Sequence, residues 1–260
     1  MILSTWNVNS IKVRLPAIIQ YLNEQTPDVL VLQETKCLDD NFPSNELMDV
    51  GYHSLYCGQK TYNGVAILSK KKLDNVALNP VNTEEGEMRS IAASYGDVRI
   101  LNLYVVNGQS IGTSKFKYKI KWFKKLLDYT NIEIKKYKDM VIMGDFNIAP
   151  NDDDVFDVKA TANQVLCTSQ ERSLLTDLLS QGFYDLFLDF TFPPKTFTWW
   201  DYRGGAFHRN IGYRIDLILG TKSIKKKCHD YIIDKETRHK SWCLLEPRTS
   251  DHAPCRVILK

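Results

Sequence analysis

Short apolar runs alternate with longer amphipathic stretches along this chain. Ile2 to Val8 is an apolar-leaning run of β type that gives out at Asn7-Val8-Asn9. Ser10 to Glu24 carries apolar residues at 11, 15, 18, 19 and 22, the spacing of one helix face. After Pro27-Asp28 comes Val29 to Leu32, a continuous apolar run that predicts a strand buried on both faces. It ends at Gln33-Glu34-Thr35-Lys36. A strand–helix–strand unit is therefore expected over the first 36 residues. A right-handed crossover puts both strand ends on the same edge of one sheet.

Further strands are predicted at His53 to Tyr56, Gly64 to Leu68 and Val98 to Val105, the last delivering Tyr104 and the turn dipeptide Asn107-Gly108. Ser114 to Tyr137 is the longest helical pattern. Phe116, Ile120, Phe123 and Leu127 share one face, and Lys117, Lys121, Lys124 and Lys125 lie away from it as the solvated side. Glu171 to Gln181 reads as a helix stopped at Gly182, and Tyr213 to Leu219 as a strand with Asp216 in its middle. Asn151 to Asp154 is a dense acidic patch, read as a mobile turn in preference to a metal site, and Lys222 to Lys227 reads as a basic turn. A final strand, Cys255 to Leu259, follows Ser250-Asp251-His252.

The stretch Asp139 to Pro150 concentrates the candidate chemistry. Val141 to Met143 predicts a buried strand that stops at Gly144, with Asp145 and Asn147 beyond it. On extended backbone, positions i and i+2 project to one side, so a carboxylate and a carboxamide would leave the strand end together. An Asx turn that merely caps the strand is the alternative. Asn7 and Asn9 repeat the spacing at the end of the first strand.

Composition narrows the class without deciding it. The chain has 260 residues, 43% hydrophobic and 25% charged, the profile of an ordinary soluble domain. No repeat, low-complexity tract or linker divides it, so a single domain over residues 1–260 is expected. No apolar run is long enough for a membrane span. The start lacks the features of a secretory signal, and the six scattered cysteines form no zinc-spaced cluster. Reduced thiols in a cytoplasmic setting are the expectation. The net charge of +3 permits a polyanionic partner without demanding one.

Six ordered segments then carry a resemblance: WNVNS (6–10), LQETK (32–36), LYVVNG (103–108), GDFN (144–147), RIDLIL (214–219) and SDHAP (250–254). Together they resemble the motif set of the exonuclease III family, the Mg²⁺-dependent apurinic/apyrimidinic endonucleases within the endonuclease/exonuclease/phosphatase superfamily. FTWWDYR (197–203) resembles the DNA-repair branch. The resemblance implies a DNase I-like α/β fold, a four-layer sandwich of two packed mixed sheets flanked by helices. It implies hydrolysis of the phosphodiester 5′ to abasic sites in duplex DNA, with 3′→5′ exonuclease activity and removal of 3′ blocking groups. It further implies Mg²⁺ with Mn²⁺ as a substitute, and a monomer.

Residue by residue, Glu34 is the implied metal ligand, with Asn7, Asn9 and Asp251 close to it and Asp145 and Asn147 bordering the same site. Asp145 would orient or deprotonate the attacking water, and Asn147 would fix Asp145 or a phosphate oxygen. Asp216 and His252 resemble the family's carboxylate–imidazole pair, with His252 either a phosphate ligand or a base. Tyr104 would contact the phosphate or the leaving oxygen, and Asn107 the neighbouring phosphate. Trp199, Tyr213 and Ile215 match positions that line a pocket for a flipped, base-less sugar, whereas Trp200 reads as core. Arg203 stands where the family probes the base stack. Two departures are visible: Asn9 stands where relatives often carry Asp, and Val106 where they carry Pro.

General chemistry agrees with this assignment, since phosphodiester cleavage wants a hard cation, an in-line water and a stabilised leaving oxygen. A phospholipid or inositol-phosphate hydrolase would share the metal chemistry, but FTWWDYR and the basic 222–227 segment argue against it. A catalytically silent DNA-binding module would not need the acidic and histidine positions, all of which are filled except for the Asn9 variation.

Overall fold

The computed structural model describes residues 1–246 and 248–260. The first half runs β1 (Ile2–Asn7), α1 (Ile11–Gln25), β2 (Val29–Gln33), α2 (Ser44–Asp49), β3 (His53–Cys57), β4 (Val65–Ser69), β5 (Asp74–Leu78), β6 (Ser90–Tyr95) and β7 (Val98–Tyr104). The second runs α3 (Ser114–Lys136), β8 (Met140–Asp145), α4 (Val158–Thr161), α5 (Ser169–Ser180), β9 (Phe183–Asp185), β10 (Asp216–Thr221), α6 (Lys222–Lys227), β11 (Cys228–Ile233) and β12 (Cys255–Leu259). The strands form two six-stranded mixed sheets, in the orders β11-β12-β1-β2-β4-β3 and β5-β6-β7-β8-β10-β9.

The continuous apolar strands are explained by what covers each face. Val29 and Val31 of β2 join Leu3, Ile67, Ile100, Val141 and Ile218 in the core between the sheets. Leu30 and Leu32 face the other way, against Ile18, Tyr21 and Leu22 of α1 and Leu47 of α2. On the outer side of the second sheet, Ile142 and Leu219 meet Trp122, Phe123 and Leu126 of α3 and Leu175 of α5. The expected four-layer sandwich follows from these three cores. Each fully buried aliphatic or aromatic side chain contributes about 1.5–3 kcal/mol, so the layers hold chiefly by apolar burial.

One polar element crosses the central core. Asn102 of β7 donates to Leu32 O at 2.9 Å and Ala66 O at 2.8 Å on the opposite sheet, and accepts from Gln33 Nε2 at 2.8 Å. All three of its side-chain bonds are buried, so it fastens the sheets without leaving an orphaned polar atom.

The helix starts have visible causes. Thr113 accepts from Phe116 N at 3.2 Å to cap α3. Thr168 and Glu171 form a reciprocal capping box at α5.

Several expectations need correction. Gly144 does not stop β8, which continues to Asp145; a Cβ at 144 would lie 2.0 Å from Leu103 O, so glycine lets β7 and β8 approach. Asp216 opens β10 rather than sitting in its middle, because Tyr213 forms only isolated bridges to Val155 and Trp199. The 222–227 segment is helical rather than a turn. Asp154 is buried against Arg214, at 2.6 Å from its Nε, so the acidic turn is pinned at that end rather than mobile.

Candidate active site

Strand polarity gathers the candidate residues at one edge. β1 and β2 are parallel and end at Asn7 and Gln33, placing Glu34 beside Asn7. β7 and β8 are parallel with Tyr104 opposite Asp145, and antiparallel β10 begins with Asp216 opposite Asp145. β12 runs antiparallel to β1, so Asp251 and His252, just before it, arrive at the same end. The two sheets meet there through Asn7, whose Nδ2 donates to Glu34 Oε1 and Asp145 Oδ2, both at 2.9 Å.

Asx turns build the strand tips. Asn147 N donates to Asp145 Oδ1 at 2.9 Å, Asn9 N to Asn7 Oδ1 at 3.1 Å, and Gln109 N to Asn107 Oδ1 at 3.1 Å. Asp145 and Asn147 therefore converge through a turn, with Asn147 at φ 49°, and not through the alternation of an extended strand. The Asx-turn reading and the shared-site reading describe the same geometry. Asn9 at φ 46°, Glu34 at 53° and Lys36 at 51° are also left-handed. Four non-glycine residues held there at one edge store strain of a kind that clusters at functional sites.

Each candidate has defined neighbours. His252 Nδ1 lies 2.9 Å from Asp216 Oδ2, and its Nε2 lies 3.8 Å from Asp145 Oδ2. Burial alone would lower the imidazole's pKa, but the carboxylates of Asp216, Asp145 and Asp251 raise it to about 10, so the ring is an imidazolium at neutral pH. Burial raises Asp145 to about 7, with Asp216 and Glu34 adding to the rise and His252 opposing it. Burial and the nearby Glu34 charge push the Tyr104 hydroxyl well up, keeping it a proton donor. Arg89 stacks over the Tyr104 ring at 4.6 Å and donates to Tyr104 O.

Asp251 accepts from Trp199 Nε1 at 2.9 Å and from Asn9 Nδ2 at 3.0 Å. Burial favours its neutral form, yet His252, Trp199 and Asn9 outweigh that and hold it below the usual carboxylate range. Asn9 Oδ1 accepts from Lys36 Nζ at 2.6 Å, so both ends of its carboxamide are engaged by protein. Lys36 also pairs with Glu34 at 2.8 Å.

The structure groups Trp199, Tyr213 and Ile215 with Ala149, Val155, Val165, Leu166 and Cys167 in one apolar cluster beside His252. Trp200 is fully buried, as expected. Arg203 projects into solvent and pairs with Asp201 at 2.7 Å. Asn107 Nδ2 donates to Asn147 Oδ1 at 3.0 Å.

Glu34, Asp145 and His252 offer ligand atoms within 4.8 Å of one another. Oxygen donors from two carboxylates suit a hard divalent cation better than a soft one. The imidazolium facing Asp216 makes His252 the poorest ligand of the three, because a protonated ring has no free lone pair.

Sequence reasoning passed over several contributors. Ser250 Oγ donates to Asn7 O at 2.6 Å and accepts from His252 N, tying the histidine loop to β1. Thr198 Oγ1 accepts from the N–H groups of Ile215 and Asp216, both at 3.1 Å. Both lie inside quoted motifs, but nothing in their spacing marks them as supports. Lys119 was hidden among the lysines of α3; its place three residues after Phe116 and three before Trp122 was the available signal.

Comparison with known proteins agrees with this geometry. The endonuclease/exonuclease/phosphatase family matches residues 4–252. Over its whole length the chain is 32% identical to an exodeoxyribonuclease of Bacillus subtilis (strain 168), covering 99% of that protein. Among solved structures, a 3′ phosphatase from Neisseria bound to a product DNA hairpin superposes with a TM-score of 0.95 at 40% identity, over 100% of this chain and 99% of that one. An AP endonuclease from Archaeoglobus fulgidus superposes with a TM-score of 0.93 at 33% identity, over 100% and 99%. The two six-stranded sheets, the acidic edge and a match over nearly the full chain lead to one conclusion: this chain belongs to the endonuclease/exonuclease/phosphatase family.

Proposed function

We propose that this chain is a DNA-repair nuclease that hydrolyses the phosphodiester 5′ to abasic sites and trims blocked 3′ ends, using Mg²⁺. The observation that carries the reading is Asp145, buried and set between Asn7, Asn147 and His252 with Glu34 alongside. Its place beside Asn7, Asn147 and Glu34 suits a group that orients the attacking water or takes its proton. Asn147 holds Asp145 Oδ1 through its main-chain N–H, while Oδ2 accepts from the Asn7 and Asn147 carboxamides and lies 3.8 Å from His252 Nε2. The His252 imidazolium, backed by Asp216, presents Nε2–H to a non-bridging phosphate oxygen. Tyr104 supplies a further hydroxyl donor, and Asn107 faces the next phosphate. Mg²⁺ held by Glu34 and Asp145, with Asn7 and Asp251 next to it, would supply Lewis-acid stabilisation of charge on the phosphate. The engaged carboxamide of Asn9 makes it a support for Lys36 and Asp251 in this reading rather than a direct ligand.

The apolar wall of Trp199, Tyr213 and Ile215 fits a sugar without a base, and an abasic nucleotide leaves the stack at the lowest cost. The more similar of the two solved relatives is described as a 3′ phosphatase, which supports 3′-end processing as a second activity of the same site. The reading takes residues 1–260 as one working unit, since the site draws on both sheets. It takes the protein as a cytoplasmic monomer; no helix among the described residues is long and apolar enough to cross a membrane.

The test uses matched duplexes, one intact, one with an abasic analogue and one ending in a 3′-phosphate. Wild type should cut the abasic and 3′-phosphate duplexes with Mg²⁺ and lose activity in EDTA. Asp145→Ala should lose at least about a thousandfold, since groups acting as a unit lose most activity singly. Full-strength cutting in EDTA would refute the reading.

A further inference from the structure

α3 presents lysines to solvent along most of its length, but Lys119 points inward and is only 1% exposed. Its ammonium meets a buried carboxylate, Glu171, and two backbone carbonyls, Asn107 O at 3.1 Å and Asn147 O at 2.6 Å. These carbonyls belong to the tip residues after β7 and β8, whose side chains also bond each other. We infer that Lys119 is a positioning residue for the phosphate-binding edge, clamping Asn107 and Asn147 from behind so that the Asp145 turn keeps its shape.

Three further observations support the clamp. Gly108, at φ +94°, is where the lysine stem passes: a Cβ there would lie 3.1 Å from Lys119 Cδ and 3.3 Å from Val165 Cγ2. Glu171 has no spare capacity. It accepts from Leu166 N at 3.1 Å, Thr168 N at 3.0 Å and Thr168 Oγ1 at 2.7 Å, besides Lys119. Leu166 belongs to the apolar cluster around Trp199 and Tyr213, so one ion pair joins the phosphate-holding tips to the sugar-pocket wall.

The chemistry of the pair fits a support rather than a reactant. All three ammonium protons have an acceptor, so none is free for substrate. A fully buried ion pair adds little net stability, whereas removing one partner strands the other charge. Retention of such a pair is reasonable where it fixes a geometry.

The inference rests on the nuclease reading, and its test separates the two. Lys119→Met keeps the stem but removes charge and donors; it also strands Glu171, so loss of stability is expected. Lys119→Met combined with Glu171→Gln removes both charges while Gln keeps the α5 capping box. In the double variant the melting temperature should recover part of what the single variant lost, because no charge is stranded, although Gln Nε2 cannot accept from Leu166 N. Affinity of the metal-free protein for the abasic duplex should stay within about threefold of wild type, while kcat stays roughly 10- to 100-fold low, the scale of a small misplacement of reacting groups. Hydrogen exchange at the Asn147 amide should speed up while that of β1 and β12 stays unchanged. Recovery of kcat together with stability, a loss confined to KM, or unchanged exchange at Asn147 would each overturn the clamp. A wild type unable to cut would sink the nuclease reading, and amide exchange would still decide the clamp.

Discussion

Lys36 donates to the carboxamide oxygen of Asn9 at 2.6 Å, while the same carboxamide donates to Asp251 at 3.0 Å. A neutral group thus stands between a cation and an anion and satisfies both. Asn9→Asp would put a second negative charge against Asp251. Divalent-ion affinity, measured by calorimetry, should rise roughly tenfold, about 1.4 kcal/mol. The metal-free variant should melt lower than wild type. Equal or weaker ion binding would show that Asn9 has no electrostatic part in the metal site.

The Asp216–His252 pair makes a second case. Asp216 is fully buried, and its amide is fixed by Thr198 Oγ1, so Asp216→Asn should keep the backbone in place. It replaces the carboxylate that faces Nδ1 and so weakens the imidazolium. A fall in kcat of about a hundredfold or more is expected, in the range of a positioned acid–base group. A variant within about threefold of wild type would remove His252 from the chemistry.

Asn102 predicts a stability effect with no direct catalytic component. Asn102→Ala leaves Leu32 O, Ala66 O and Gln33 Nε2 without their partner inside the sandwich. A loss of about 1–3 kcal/mol should follow from the buried hydrogen bonds removed between the sheets. In urea the midpoint should fall with the slope unchanged. A loss below about 0.5 kcal/mol would mean that the site admits water.

Glu133 gives a pH signature. Burial raises its pKa, but hydrogen bonding by Lys136 and the charge of Arg99 outweigh this, and the net shift is downward. The folded chain therefore binds fewer protons at Glu133 than the unfolded chain does. Its contribution is fully present above the ordinary glutamate value of about 4.3 and disappears as pH falls through the lower folded value. Wild type should exceed Glu133→Gln in stability near pH 7, and the gap should narrow progressively as pH falls below the ordinary glutamate range. A gap that widens on acidification would reverse the assignment.

Much of this molecule can be read locally. Alternating apolar runs place β1, α1, β2, β7, α3 and β8 near their observed positions, because burial on one or both faces imposes its period on the residues themselves. Motif order announces the family for the same reason: the chemistry needs oxygen and imidazole donors at strand ends. Other features escape a linear reading. Asp216 opens its strand because register with Asp145 decides where pairing starts. Asp154 is pinned by Arg214, 60 residues away, which no local composition could announce.

By itself the sequence determined which stretches bury, which strand ends carry polar side chains and which family supplies the pattern, since each depends on neighbours along the chain. Only the tertiary structure decided that Asn9 links Lys36 to Asp251, that Asn102 fastens two sheets and that Lys119 turns inward behind Asn147. Those roles depend on partners 27 to 242 residues away, brought within about 3 Å only once the sheets have closed on each other.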